Sequence, residues 1–259
     1  MLSEAFAGGN SILHRLDPRL RIVFATLFSF LLAVSKSFPT MTAGLGLSMV
    51  MIGLSQIPLK EVLKRVVVIN GFNLVLFVLL PITFEGTPLF LIGPMACSVQ
   101  GLILAVQITL KSNAILLIFL SLVATMTIST LGNALNRIHI PEKIVYLMLL
   151  AYRYVFVLEQ EYLRLVTAIK VRGFEPKTNL HTYRTYAYLF GMLLVRATAR
   201  ADRVYQSMLC RGFKGKFYCI HGFSFSGLDR IGLVVLTLIL ILLGSMEWLN
   251  PMPFNVMNF

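Results

Sequence analysis

The chain reads as an all-α, polytopic membrane protein with about five spanning helices plus cytoplasmic amphipathic helices. Three observations point there. Of 259 residues, 57% are hydrophobic and 13% charged, well below the roughly one quarter charged that is usual in soluble domains, and the mean hydropathy is +0.81. Apolar runs recur at lengths close to the about 20 residues that cross a bilayer. The formal net charge of +12 is unevenly spread, as expected when basic loops are retained on the cytoplasmic side.

The first apolar run covers 21–34 and follows Asp17-Pro18, an acid at the cap and a proline in the first turn of a helix. Arg15, Arg19 and Arg21 precede it, the outline of a signal peptide, but the apolar runs that follow favour an uncleaved first anchor. Residues 35–40, with Pro39, read as a tight turn. A second run spans 41–57 and stops at Pro58. Lys60, Glu61, Lys64 and Arg65 come next, then a third run over 66–84. Residues 85–100 hold Gly86, Pro88, Gly93 and Pro94 without a Lys or Arg and read as a loop. A long fourth run covers 101–128, and the last covers 231–249. The stretch 144–158 is too short for a comfortable span and carries Arg153 beside Tyr152 and Tyr154, which suits an interfacial or buried helix.

Charge then sets the topology. Residues 129–230 contain fifteen Lys or Arg against six acids, so this block belongs in the cytoplasm, with the N-terminal arginines and the Lys60–Arg65 turn. The 85–100 loop and the Lys-free tail belong outside. A span at 144–158 would put the most basic region outside, and it is rejected. The expected divisions are an N-terminal membrane domain of four spans (1–128), a cytoplasmic helical region (129–230), and a C-terminal span with its tail (231–259).

Several chemistries are excluded. Cys97, Cys210 and Cys219 make no paired spacing, and His14, His139, His181 and His221 are scattered, so neither a metal site nor a redox motif is expected. Gly212–Lys216 lacks the spacing and hydroxyl of a phosphate loop. No aromatic-plus-basic module suggests nucleic acid. A membrane-embedded transferase would need clustered carboxylates, yet the closest acids, Glu159 and Glu161, flank Gln160 in a basic block. A stand-alone channel would need polar residues recurring along several spans. Lys111, with Ser112 and Asn113, is the intramembrane exception; it reads either as a functional residue or as bundle packing.

Two strings repeat: Lys170-Val171-Arg172-Gly173-Phe174 and Leu209-Cys210-Arg211-Gly212-Phe213, each with another Arg eight residues earlier, Arg164 and Arg203. Each has the composition of a helix C-terminus closed by a left-handed glycine, and spacing alone would allow both to be ordinary helix ends. Before the second end, Arg196, Arg200, Arg203, Ser207 and Arg211 fall within about 80° on a helix. Phe190, Leu194, Ala197, Ala201, Val204 and Met208 lie on the neighbouring face. Such a ridge could rest on anionic headgroups, but arginine without lysine favours carboxylates or phosphate.

With these features in place, nearly the whole chain resembles the CbiQ type of transmembrane T component of energy-coupling factor transporters, which serve cobalt and nickel uptake. The resemblance runs through Leu13-His14-Arg15-Leu16-Asp17-Pro18-Arg19, Ile108-Thr109-Leu110-Lys111-Ser112-Asn113, Tyr152-Arg153-Tyr154, Asn179 to Tyr186, and the two Arg-Gly ends. The family's paired Ala-Arg-Gly motifs stand here as Val171-Arg172-Gly173 and Cys210-Arg211-Gly212. The resemblance implies a non-catalytic subunit of the bacterial inner membrane, without a cofactor or metal of its own. Arg172, Gly173, Arg211 and Gly212 would dock two ABC-type ATPases, supported by Arg164, Arg196, Arg200 and Arg203. A membrane S component would bind the metal, and a small accessory membrane subunit would complete the assembly.

Overall fold

The computed structural model describes residues 11, 13, 16–83, 88–92, 95–214 and 227–249. His14, Arg15, Gly86, Gly93, Pro94, Cys219, His221 and the tail after Leu249 lie outside them. Eight helices carry the described chain: α1 Pro18–Val34, α2 Phe38–Ser55, α3 Leu59–Thr83, α4 Val99–Leu122, α5 Ile128–Arg137, α6 Glu142–Val171, α7 Leu180–Cys210 and α8 Gly227–Leu249. Between α3 and α4, β1 Pro88–Ile92 and β2 Met95–Ser98 pair antiparallel. This corrects the loop expected over 85–100. Pro88 opens the first strand, a position where a proline is tolerated because no ladder hydrogen bond is lost.

Four helices, α2, α3, α4 and Asp229–Leu249 of α8, are long and apolar enough to cross a membrane. Helix α1, at 17 residues, falls just short by length, yet it packs in the same bundle. The long fourth run is not helical to its end, and the next helix starts only at its last residue. Helix α4 ends at Leu122, and the Thr127 hydroxyl accepts from Thr130 N–H at 3.2 Å, capping the separate helix α5. The stretch 144–158 is likewise only half of an element, because α6 continues through Glu159 and Glu161 for 30 residues.

The chain divides into two compact units, Leu2–Ala134 with Phe223–Phe259, and Leu135–Gly222. In the first, α4 is the spine against which α1, α2 and α3 all pack, and α8 lies on α1 and α2. Phe24, Phe28 and Leu32 of α1 meet Ala114, Ile118 and Leu122 of α4 and Leu236 and Leu243 of α8 in one buried cluster. Antiparallel α3 and α4 are stitched by Asn113 Nδ2 donating to Asn70 Oδ1 at 2.9 Å and Asn73 Nδ2 donating to Ser112 Oγ at 2.8 Å. Asn113 Oδ1 is buried and has no hydrogen-bond partner among the described residues. Lys111 reaches along the bundle, and its ammonium donates to the Ala33 carbonyl at 2.9 Å.

Two acids of α8 fasten both ends of α1. Asp229 Oδ1 accepts from Asp17 N–H at 2.8 Å. At the other end Glu247 accepts from Ser35 Oγ at 2.6 Å, Ser37 Oγ at 2.5 Å and Lys36 N–H at 2.7 Å. The two helices are therefore parallel, with polar clamps 18 residues apart along each, about 27 Å by helical rise and close to the thickness of a hydrocarbon core. Arg21 donates to Thr125, and Ser55 Oγ to the Ser121 carbonyl at 3.4 Å. The ends of α2 and α4 thus lie with Asp17 and Asp229, at the start of α8.

Elsewhere the bundle faces outward with apolar side chains. Val68 is 69% exposed and Phe72 67%, the outward surface expected of a helix solvated by lipid rather than water. Glu247→Ala removes three hydrogen bonds to a carboxylate. It should cost on the order of 2 kcal/mol and lower the thermal midpoint of the detergent-solubilised protein, whereas Glu247→Asp should retain part of the loss.

Candidate functional site

The second unit holds both Arg-Gly strings, and each closes a helix in the same way. Gly173 has φ +81° and Gly212 φ +77°, the left-handed region where a Cβ is strained. At the end of α6, Gly173 N–H donates to the Lys170 carbonyl at 3.0 Å and Phe174 N–H to the Ile169 carbonyl at 3.2 Å. At the end of α7, Gly212 N–H donates to the Leu209 carbonyl at 2.9 Å and Phe213 N–H to the Met208 carbonyl at 3.1 Å. Both are the double-bonded Schellman closure. The cap arginines share a conformation as well, φ −81°, ψ 11° at Arg172 and φ −88°, ψ 10° at Arg211, and both side chains are exposed. The sequence repeat is thus a repeat of geometry: an arginine presented just beyond a helix, with its backbone held by a glycine.

Helices α6 and α7 run in opposite directions. Next to their connection, Phe174 packs edge-on against Tyr186, centroids 6.0 Å apart, and lies 6.0 Å from the His181 ring. Lys177 N–H donates to the Thr182 hydroxyl at 3.1 Å. Further along, Glu161 bonds Arg196, and beyond that Leu150, Tyr154 and Leu158 face Ala197, Ala201 and Val204 across a cleft of about 330 Å³. Arg172 therefore sits at the connected end and Arg211 at the far end of the 31-residue α7, separated by about 45 Å of helical rise. The two ends cannot form one site.

The arginine ridge does not present a uniform outward face. Arg196 bonds the buried carboxylate of Glu161, and Arg164 lies 3.6 Å from the same group. Arg200 lines the cleft between the helices, while Arg203 is exposed. The small-residue stripe divides in the same way. Ala197, Ala201, Val204 and Met208 line the cleft, whereas Phe190 is 60% and Leu194 66% exposed. Glu161 is the residue that sequence reasoning passed over, as one acid in a basic block. The available signal was Arg164 three residues later, a helical ion-pair spacing. The hydrogen bond from Arg196, with the charges of Arg196, Arg164 and Arg200, holds the Glu161 carboxyl below the usual carboxylate range.

The family model for CbiQ, described as cobalt transport protein, matches residues 9–219. The chain is similar to an energy-coupling factor transporter transmembrane protein EcfT of Leuconostoc gelidum, 30% identical over 225 residues, which cover 81% of this chain and 82% of that protein. It is similar to an EcfT of Brevibacillus brevis, 28% identical over 256 residues, covering 92% and 95%. An uncharacterized protein of Methanocaldococcus jannaschii is 24% identical over 225 residues, covering 84% and 77%.

Glu161 gives the α6–α7 pair a pH signature. A carboxyl with a lowered folded-state pKa stabilises fully above its unfolded value, about 4.3, and the stabilisation is lost as pH falls through the lower folded value. Limited proteolysis of the purified protein should become faster in this segment as the pH drops below about 4. Glu161→Gln should cleave faster at neutral pH and lose that acid-dependent rise.

Proposed function

The chain belongs to the CbiQ family of cobalt transport proteins and is the transmembrane T component of an energy-coupling factor transporter. On that premise we propose that it couples two ABC-type ATPases to a membrane S component that takes up cobalt or nickel. The observation that carries the reading is the pair of matched helix ends. Each ATPase would receive one Arg-Gly end, with Arg172 or Arg211 meeting carboxylates in a groove on the ATPase surface. Planar guanidinium groups suit that contact because they pair with carboxylates through two hydrogen bonds at once.

The separation of the ends supports two receivers rather than one. When ATP draws the ATPases together, ends about 45 Å apart would be drawn inward, and the antiparallel pair would convert that approach into a change of crossing between α6 and α7. In this scheme Glu161, with Arg164 and Arg196, is the pivot that keeps the helices in register, with Arg200 beside it. Arg203 adds to the docking charge. The exposed Phe190 and Leu194 would face the S component. The metal is cargo, and its identity comes from the family description alone, because the EcfT relatives are named without a substrate.

Residues 129–230 form the cytoplasmic coupling region in this reading, 1–128 the membrane domain, and 231–259 the last span and tail. The bacterial inner membrane would hold the chain with its N-terminus inside and its C-terminus outside, and a small accessory membrane subunit would join the complex. The charge of the bundle supports this orientation. Arg19, Arg21, Lys60, Lys64 and Arg65 gather at the end of the bundle marked by Asp17, whereas Lys36 is the lone base of the turn at the Glu247 end.

Arg172→Ala and Arg211→Ala should each weaken ATPase retention, on the order of 30-fold or more for loss of one buried charged contact, and the double variant should purify without ATPases. Full retention by the double variant, with normal metal uptake, would sink the docking assignment. Gly173→Ala and Gly212→Ala should weaken retention more mildly, since they strain the closure and leave the arginine in place.

A further inference from the structure

Helices α2 and α3 both pack on α4 but scarcely touch each other, and a groove of about 790 Å³ runs between them. Met49 and Gly53 form one wall, Leu63 and Val66 the other, and Leu117 of α4 lies at its floor. Gly53 leaves its side of the groove open: a Cβ built there meets nothing within 4 Å. The lining is apolar except at two places. Lys60 lies at the start of α3, and the Asn70–Asn113 pair lies ten residues further on, about 15 Å along the helix. Lys60 has no ion pair among the described residues, and Lys64 follows one turn later. The groove thus has a cation at its mouth, about 15 Å of hydrocarbon wall, and a polar stop.

We propose that this groove binds one molecule of an anionic phospholipid, its acyl chain laid between α2 and α3 and its phosphate held by Lys60. The charge pattern selects this occupant. A zwitterionic lipid brings its phosphate already neutralised by its own ammonium, and an apolar partner helix brings no anion, whereas an anionic headgroup supplies a net negative charge where the groove enters the membrane. The competing occupant is a helix of a partner protein that donates to the buried, unpartnered oxygen of Asn113. Placing the lipid in the inner leaflet rests on the proposed orientation, but binding itself does not.

The test uses the full chain in nanodiscs, which offer lipid from both leaflets. Trp248, the sole tryptophan, is replaced in a Trp248→Phe background, and Leu63→Trp, at a position 63% exposed, reports from the groove wall. Brominated phosphatidylglycerol should reach half-maximal quenching at about a fivefold lower mole fraction than brominated phosphatidylcholine, as one lysine–headgroup contact implies. Lys60→Gln should remove that difference, and Gly53→Phe should lower the maximal quenching by filling the groove. Equal quenching by the two lipids, or a preference that survives Lys60→Gln, would overturn the proposal. So would a photocrosslink from Leu63→Cys, labelled in the assembled transporter, that goes to a partner protein instead of lipid. Thiol labelling of Lys60→Cys from either side of sealed vesicles reads orientation separately, so an error in topology would not be mistaken for an empty groove.

Discussion

A chain that lives in hydrocarbon must satisfy its polar groups from within, and that constraint organises the first unit. Among the described residues its acids bind at the two ends of the bundle, two amide contacts stitch one seam between α3 and α4, and mid-helix hydroxyls such as Thr26, Ser48 and Thr237 bond to carbonyls of their own helix. Asp229 and Glu247 each meet α1 at a point where its backbone has run out of helical partners. The last helix is thereby fixed parallel to the first, 18 residues of one against 18 of the other. The hydrophobic cluster of Phe24, Phe28, Ile118 and Leu243 fills the space between the clamps, but apolar packing alone has little preference for register in a bilayer, where lipid is as good a neighbour as another helix. The acids supply that preference.

The second unit is built on the opposite principle. Helices α6 and α7 are long, share few packed side chains, and leave much apolar surface open, with Tyr188 75% and Val171 83% exposed. A single sunken carboxylate, Glu161, gathers Arg164 and Arg196 near the middle of α6. Around such a pin two rods can change their crossing without breaking a core, because little core exists to break. The Schellman closures keep the rods from fraying at the points where load would be applied. A bundle clamped at both ends and an open, pinned pair of helices would suit the coupling role proposed for this subunit.

Much of this was legible in advance. Helix starts at Asp17-Pro18 and the left-handed glycines after Arg172 and Arg211 followed from local chemistry, since a proline and an unhindered φ act within a few residues. The boundaries that misled were those where local signals conflicted with apolar content. The run over 101–128 concealed a break capped by Thr127, and the glycines and prolines of 85–100 concealed a hairpin. The stretch 144–158 looked short because hydropathy ends where Glu159 and Glu161 begin, although the helix itself continues through both acids to Val171.

The sequence by itself determined the class, the basic side of the chain, and the two Arg-Gly ends, because composition and helix closure are local properties that need no partner. Tertiary structure alone decided which groups the arginines of the ridge meet. Arg196 and Arg203 share one helical face, yet Arg196 turns to Glu161, 35 residues away in the chain, and Arg203 stays exposed. It also decided that the two ends sit at opposite extremes of an antiparallel pair, and that α8 is clamped to α1 across 212 residues of sequence. Those are long-range pairings. Nothing in a helical periodicity specifies which distant residue will complete a carboxylate's shell.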